Sequence, residues 1–355
     1  MTLPRLLLLF FLGFLVAGCT SSPTAPESTF GTVTTGVYIV NEGNFTRNNS
    51  TLTLFLPDSN RVYPDVFSAA NGRPLGDVAN DMVLFGGRGY IVVNNSQKIE
   101  VISLLDQKSV GTVVIPGSKS PYKLAIVNSL KAYVTNLYDN SLTEFDPTSL
   151  QITQERILVG NNPEGIALAN GKLYVCNSGF GADSTLSVVD PAADVVVNTI
   201  SVGLSPSEIA ADASGHLVVK CDGSYNFSDP NLDTPGRLVL IDSRNDVVLA
   251  SVVLPLGVYG HPGRMTLSSN GYGYFAGRSG VMRFDIGNGT ITVNPTPFAT
   301  VSAYGLAIDD VSNRLYATDA KDYVQPGDVL VYGQNGQEIT RFLAGIIPGT
   351  IVFKR

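Results

Sequence analysis

The sequence predicts an all-β protein, a seven-bladed β-propeller closed by a C-terminal strand that completes the N-terminal blade. Three observations predict it. A short motif centred on proline recurs with a period near 43 residues, each period holds four short β-rich segments, and the two ends of the chain carry complementary parts of one period. Fixed-period self-similarity of this length is the mark of repeat architectures, and four strands per repeat is the unit of a propeller.

Composition points the same way. Charged residues are only 15% of the 355, with 36 Gly and 20 Pro, which suits short strands and tight turns better than helical bundles or disordered tails. The formal charge of −7 leaves no basic face for a phosphate backbone, so no nucleic-acid partner is expected.

The chain divides into three parts. Residues 1–18 read as a lipoprotein signal peptide, in which Arg5 precedes an apolar run and Leu15-Val16-Ala17-Gly18-Cys19 closes it with small residues before a cysteine. Cys19 is the lipidation candidate, and residues 19–36 form a Ser/Thr/Pro tether. Thr20 rather than Asp follows the cysteine, which resembles the outer-membrane class of lipoproteins, and the membrane is met through the lipid anchor alone. The propeller occupies 37–355.

Within it, Ser120-Pro121-Tyr122-Lys123-Leu124-Ala125, Asn162-Pro163-Glu164-Gly165-Ile166-Ala167, Ser205-Pro206-Ser207-Glu208-Ile209-Ala210 and His261-Pro262-Gly263-Arg264-Met265-Thr266 are copies of one motif. The prolines at 121, 163 and 206 are 42 and 43 residues apart, while Pro262 follows after 56 and Pro348 after a further 86. Stepping back from Pro121 reaches 76–82, and Ser302-Ala303-Tyr304-Gly305-Leu306-Ala307 fills the gap before Pro348, which gives seven starts. A second motif follows each first one: Tyr90-Ile91-Val92-Val93-Asn94, Tyr133-Val134-Thr135-Asn136, Tyr174-Val175-Cys176-Asn177 and Tyr316-Ala317-Thr318-Asp319. A third motif ends at Asp146, Asp190, Asp242 and Asp285, read as turn residues. The segment from Pro348 onward suffices for one innermost strand, and Val37-Tyr38-Ile39-Val40-Asn41 matches a second strand with no first. Joining the two closes the ring and removes its exposed edges.

The Tyr-Val-Thr-Asn copies resemble the YncE-like repeat family of extracytoplasmic propellers over essentially all of 37–353. Val40-Asn41-Glu42-Gly43-Asn44-Phe45 and the segment 319–327 are similar to stretches in lipoprotein propellers of Bacteroidetes-type bacteria. Some members of that group capture cobalamin at the cell surface and pass it to an outer-membrane transporter. The resemblance implies an outer-membrane, lipid-anchored protein that binds a corrinoid or another small polar ligand, with a transporter as partner. It assigns no ligand contacts to this chain.

Candidate contacts follow instead from topology. In a propeller the loops leading into each innermost strand and those joining the second and third strands share one face, where ligands sit. The first set supplies Asn80, Tyr122, Lys123, Glu164, Glu208, Tyr259, His261, Arg264 and Tyr304. The second supplies Asn41, Glu42, Asn94, Asn95, Asn136, Tyr138, Asp139, Asn177, Asp222, Tyr225, Arg278, Asp319, Lys321 and Tyr323. Amides, phenols and a few charges suit a polar ligand with an apolar body, although a strand-ending Asn also serves as a turn residue.

The extra 13 residues of the period that begins at Pro206 fall between Lys220 and Arg237, a long loop of the kind that carries function. It offers Tyr225 and Phe227 for stacking. Asp229, Asn231 and Asp233 alternate like the start of a calcium loop, but no Glu follows and Pro235 interrupts, so no metal is expected. No cofactor is expected either, because the chain lacks Trp, which quinone-cofactor propellers use, and lacks a Cys-x-x-Cys-His haem motif. His216 reads as a turn residue on the opposite face. His261 beside Glu208 or Arg264 is the one candidate base for a lactonase or hydrolase, yet no second His or paired carboxylate accompanies it. A non-enzymatic binder is therefore the expectation, with an adhesion or docking scaffold and a hydrolase as alternatives. Cys176 and Cys221 end the second strands of adjacent blades. They are open to pairing or to remaining buried thiols, and the register sets Cys176 opposite Lys220, which directs the two side chains to opposite faces.

Overall fold

The computed structural model describes residues 33–355. The signal segment 1–18, Cys19 and the tether as far as residue 32 lie outside the described residues. Seven four-stranded antiparallel sheets form a ring, as the repeat predicts. Blade 1 combines Pro348–Lys354 with Gly36–Asn41, Thr51–Leu56 and Arg61–Tyr63. Blades 2 to 7 occupy 79–114, 121–158, 163–201, 206–254, 265–293 and 305–346 in turn. The closing strand pairs with the first along its length, from Gly36 opposite Lys354 to Asn41 opposite Pro348. Ahead of Gly36, Thr34 donates to Asp309 Oδ2 at 2.7 Å and the Thr35 amide donates to the Lys354 carbonyl at 2.9 Å.

Seven apolar clusters make up the core, each between two neighbouring blades. Successive residues of a strand point to opposite faces, so in blade 4 Tyr174 and Cys176 face blade 5, whereas Leu173 and Val175 face blade 3. The two cysteines point to opposite faces of their own blades, as the register predicts, yet they meet. Neighbouring blades present opposite faces to each other, so the opposite directions of Cys176 and Cys221 bring both into the layer between blades 4 and 5. Both are free and buried.

The second motif divides its labour by position. The tyrosine crosses to the turn between the third and fourth strands of the next blade: Tyr90 OH donates to the Pro147 carbonyl at 2.8 Å, Tyr133 OH to Asp194 Oδ1 at 2.5 Å, and Tyr174 OH to the Ser243 carbonyl at 2.8 Å. The threonine binds the next innermost strand, Thr135 Oγ1 donating to the Glu164 carbonyl at 3.0 Å and Thr318 Oγ1 to the Pro348 carbonyl at 2.5 Å. The asparagine clamps its own blade. Asn136 Nδ2 donates to Ser141 Oγ and Thr143 Oγ1 at 3.0 and 2.9 Å, and Asn177 and Asn41 repeat the pattern with Thr185 and Ser187, and with Thr51 and Thr53.

Turn chemistry accounts for Asp146, Asp190 and Asp242, whose carboxylates accept the amides of Thr148, Ala192 and Arg244 at 2.7 to 2.9 Å. Asp285 departs from them: it ion-pairs with Arg283 at 2.7 Å within the strand. His216 accompanies the turn at Asp212, its Nδ1 lying 3.0 Å from Asp212 Oδ2. Around the axis the innermost strands approach closely, so that a Cβ at Gly165 would lie 2.8 Å from the Ser207 carbonyl oxygen.

Candidate functional site

Pairing of Pro121 with Asn136, Pro163 with Asn177 and Pro206 with Cys221 shows that the starts of the innermost strands and the ends of the second strands share one face. A cleft of about 360 Å³ opens there, walled by blades 3 to 7. Glu164 and Glu208 come from innermost strands, Arg264 from the residue just ahead of the innermost strand of blade 6, Lys220 and Asp222 from the end of the second strand of blade 5 and the residue after it, and Tyr304 and Tyr323 from blade 7.

Its charges pair almost completely. Arg264 reaches Glu208 Oε1 at 3.1 Å and Glu42 Oε1 at 3.5 Å, while Tyr304 OH donates to Glu42 Oε2 at 2.9 Å. The other oxygen of Glu208 accepts the Met265 amide at 2.5 Å. Lys220 Nζ lies 2.6 Å from Asp222 Oδ1, which also accepts Ser207 Oγ at 2.9 Å. Lys123 meets Asp81 at 3.3 Å. Glu164 alone among the cleft carboxyls has no ion pair among the described residues.

The protonation behaviour follows from this pairing. Burial pushes the Glu164 carboxyl up to about 7, against a hydrogen bond from Ser178 and with the Asp222 charge adding to the rise. Burial also acts on Glu208, but Lys220 and Arg264 outweigh it and hold that carboxyl below its ordinary value. Glu42 goes up, because burial exceeds the pull of Arg264. Burial raises the Tyr122 phenol to about 12, so it is neutral and able to donate.

Of the residues singled out in the sequence, Asp222, Tyr225, Arg264, Tyr304 and Tyr323 line the cleft with Tyr122, Glu164 and Glu208, and Glu42 stands directly behind Arg264 and Tyr304. The long loop lays Tyr225 on His261, ring centroids 3.7 Å apart, with Phe227 6.4 Å beyond and 97% exposed. His261 is held at both nitrogens, Nδ1 2.9 Å from the Asp222 carbonyl and Nε2 3.2 Å from Asp233 Oδ2. Asp229 and Asp233 serve the loop's own backbone, accepting the amides of Asn231 and Asn226 at 3.0 and 2.6 Å.

Other candidates are not brought to the cleft. Asn41, Asn136 and Asn177 are buried inside their blades, their amides committed to the clamps described above. Asn94 stands one residue beyond the clamp position and donates to the Pro121 carbonyl at 2.9 Å. Tyr259 is buried edge-on against Phe275, and Arg278 is exposed, its backbone amide bonded to the Tyr259 carbonyl. Lys321 pairs with Asp328 at 3.1 Å, and Tyr138 stands exposed 5.8 Å from Phe180. Lys220 and Ser207 are cleft residues that the sequence reading did not single out. Lys220 carried a signal: it replaces the threonine of the second motif, and its ammonium still reaches the next innermost strand, 3.4 Å from the Pro262 carbonyl.

Residues 35–339 match the family described as Domain of unknown function (DUF5074). No curated protein matches the chain. Among solved structures, a quinonprotein alcohol dehydrogenase-like protein from Bacteroides thetaiotaomicron is similar at 16% identity and a TM-score of 0.67, covering 90% of this chain and 78% of that one. A functionally unknown protein from Desulfotomaculum acetoxidans is similar at 16% identity and a TM-score of 0.65, covering 90% and 99%. A candidate 6-phosphogluconolactonase from Bacteroides fragilis is similar at 12% identity and a TM-score of 0.64, covering 90% and 98%. At these identities the likeness is one of fold.

Proposed function

The chain belongs to the DUF5074 family, and we propose that this member is a non-enzymatic capture protein that holds a polar ligand in the cleft over its axis. The observation that supports this most is the cleft itself: a lysine takes the place of a structural threonine, and one carboxyl, Glu164, is left without a cation. Buried polar groups with an open partner position give orientation and specificity to a bound molecule. Tyr225 on its His261 support and Tyr323 against Tyr304, ring centroids 5.7 Å apart, offer apolar faces beside the charges.

A corrinoid is the ligand we favour, on the resemblance of 40–45 and 319–327 to lipoprotein propellers that capture cobalamin. Such a molecule would rest on the aromatic side chains and send polar groups into the cleft, because about 360 Å³ holds only part of it. The lipobox-like ending at Cys19 supports attachment at the outer membrane, where a transporter would receive the ligand. Among the described residues no helix is long and apolar enough to cross a membrane. Calorimetry with cobalamin and with cobinamide tests the ligand. Saturable heat at micromolar protein is expected, and its absence for both overturns the corrinoid reading. Palmitate labelling that Cys19→Ala abolishes is expected, and equal labelling of that variant overturns the anchor.

A hydrolase is the second reading, and one feature favours it: the Glu164 carboxyl lines the open cleft without a cation, and burial pushes it up to about 7, the setting of a general base. The fold likeness to a candidate lactonase supports it weakly. Turnover of a lactone that Glu164→Gln reduces a hundredfold would establish it, and turnover unchanged in that variant ends it.

A further inference from the structure

Six aromatic side chains are strongly exposed among the described residues: Phe45, Tyr138, Phe180, Tyr225, Phe227 and Tyr323. All six stand in loops between the second and third strands, on the cleft face, and the loops belong to blades 1, 3, 4, 5 and 7. Exposed aromatic rings scattered singly need no explanation, but their confinement to one face does. We propose that this aromatic rim is the docking surface for a protein partner that presents basic and apolar side chains.

The rim is too widely spread for the cleft's own ligand. A small molecule gathers its aromatic contacts over one cavity, whereas these rings come from five of the seven blades. They form two arcs. In one, Tyr138 stands 5.8 Å from Phe180, a Cβ at neighbouring Gly181 would lie 3.7 Å from the Ser224 side chain, and Tyr225 and Phe227 follow. In the other, Asn44 Nδ2 donates to the Tyr323 carbonyl at 2.7 Å and ties the loop of Phe45 to that of Tyr323. Amphipathic and apolar rings on a rigid frame are the usual anchors of protein interfaces. Charge specifies the partner further. The same loops carry Glu42 and six aspartates against Arg47 and Lys321; Glu42, Asp139 and Asp222 are paired with Arg264, Arg156 and Lys220, and Lys321 with Asp328, which leaves Asp183, Asp229, Asp233 and Asp322 to make the rim acidic. An acidic, aromatic rim attracts a basic protein face and repels an anionic lipid surface.

The test places a photo-crosslinking benzoylphenylalanine at Phe45 and at Phe227, one on each arc, in the full chain expressed in cells of its natural host. Leu105 and Leu130 serve as control positions, being 91% and 65% exposed in turns of the opposite face. Both rim positions are expected to trap the same single protein, which neither control traps. Its crosslinked peptide should contain Lys or Arg, and 0.5 M salt should lower the yield at least threefold. The proposal is overturned by an absence of adducts above the controls, by different proteins at the two positions, or by an adduct of two copies of this chain. Sedimentation with phosphatidylethanolamine/phosphatidylglycerol vesicles that F45S and F227S abolish would overturn it in favour of a membrane. The outcome is independent of the ligand, since calorimetry with cobinamide reads the cleft in the same protein.

Discussion

Lys220 and Asp222 form an ion pair 2.6 Å long whose lysine side chain is only 5% exposed, at the point in the repeat where blades 3 and 7 place Thr135 and Thr318. The threonine satisfies one carbonyl of the next blade at little cost. A lysine there must lose water around its charge, and it persists only because Asp222 and the nearby Glu208 compensate it.

Lys220→Ala should therefore destabilise the protein by about 3 kcal/mol or more, since it leaves a part-buried carboxylate without its cation. The double variant Lys220→Thr, Asp222→Asn should recover most of that loss by restoring the repeat. Urea unfolding followed by tyrosine fluorescence measures both, and equal instability of the single and double variants would contradict this account.

Glu164 gives stability a pH dependence. Its folded-state pKa, about 7, lies above the ordinary 4.5, so the folded protein holds a proton that the unfolded chain releases. The contribution is full below pH 4.5 and is lost as pH rises through 7, with a total on the order of 3 kcal/mol. Between pH 5 and pH 8 the wild-type urea midpoint should fall more than that of Glu164→Gln. Parallel pH profiles of the two proteins would show that the carboxyl ionises normally.

The ring depends on its closing strand. Removing residues 347–355 strips the partner from Gly36–Asn41, the one edge in blade 1 that the fold hides at its centre. Protease cleavage within 36–63 and loss of a single cooperative unfolding transition are expected from limited proteolysis and calorimetry. A truncated chain as protease-resistant as the full one would refute the closure.

Both thiols between blades 4 and 5 should be inert in the folded state. Burial pushes the Cys221 thiol up to about 12 and the Cys176 thiol up as well, and the thiolate is the reactive form. Iodoacetamide should label neither within hours at pH 8 and both in 8 M urea, read by intact mass. Rapid labelling without urea would place one of them at the surface.

The number of blades, their order and the closing strand were legible because the repeat writes each blade in the same local code, with proline at the inner strand and Tyr-Val-Thr-Asn at the second. The roles inside that code were less so. The strand position of Asn41, Asn136 and Asn177 puts them at the open face, but nothing in the local sequence says that Ser and Thr of the third strand will claim the amides. The opposite directions of Cys176 and Cys221 are legible in the sequence but their shared layer is not, because side-chain parity is a property of one strand, while contact in a ring depends on which face the next blade presents. Lys220 was legible only as a departure from the repeat, and comparison of the copies position by position would have found it.

The first strand meets the last with Gly36 opposite Lys354 and Asn41 opposite Pro348, and Asn41 is the end on the same face of the ring as the cleft. The chain thus enters the ring at Thr34 and Thr35 from the side away from the cleft. A support attached directly ahead of Thr34 would hold the ring by the face opposite the cleft and would leave the cleft and aromatic loops open to whatever approaches from solution.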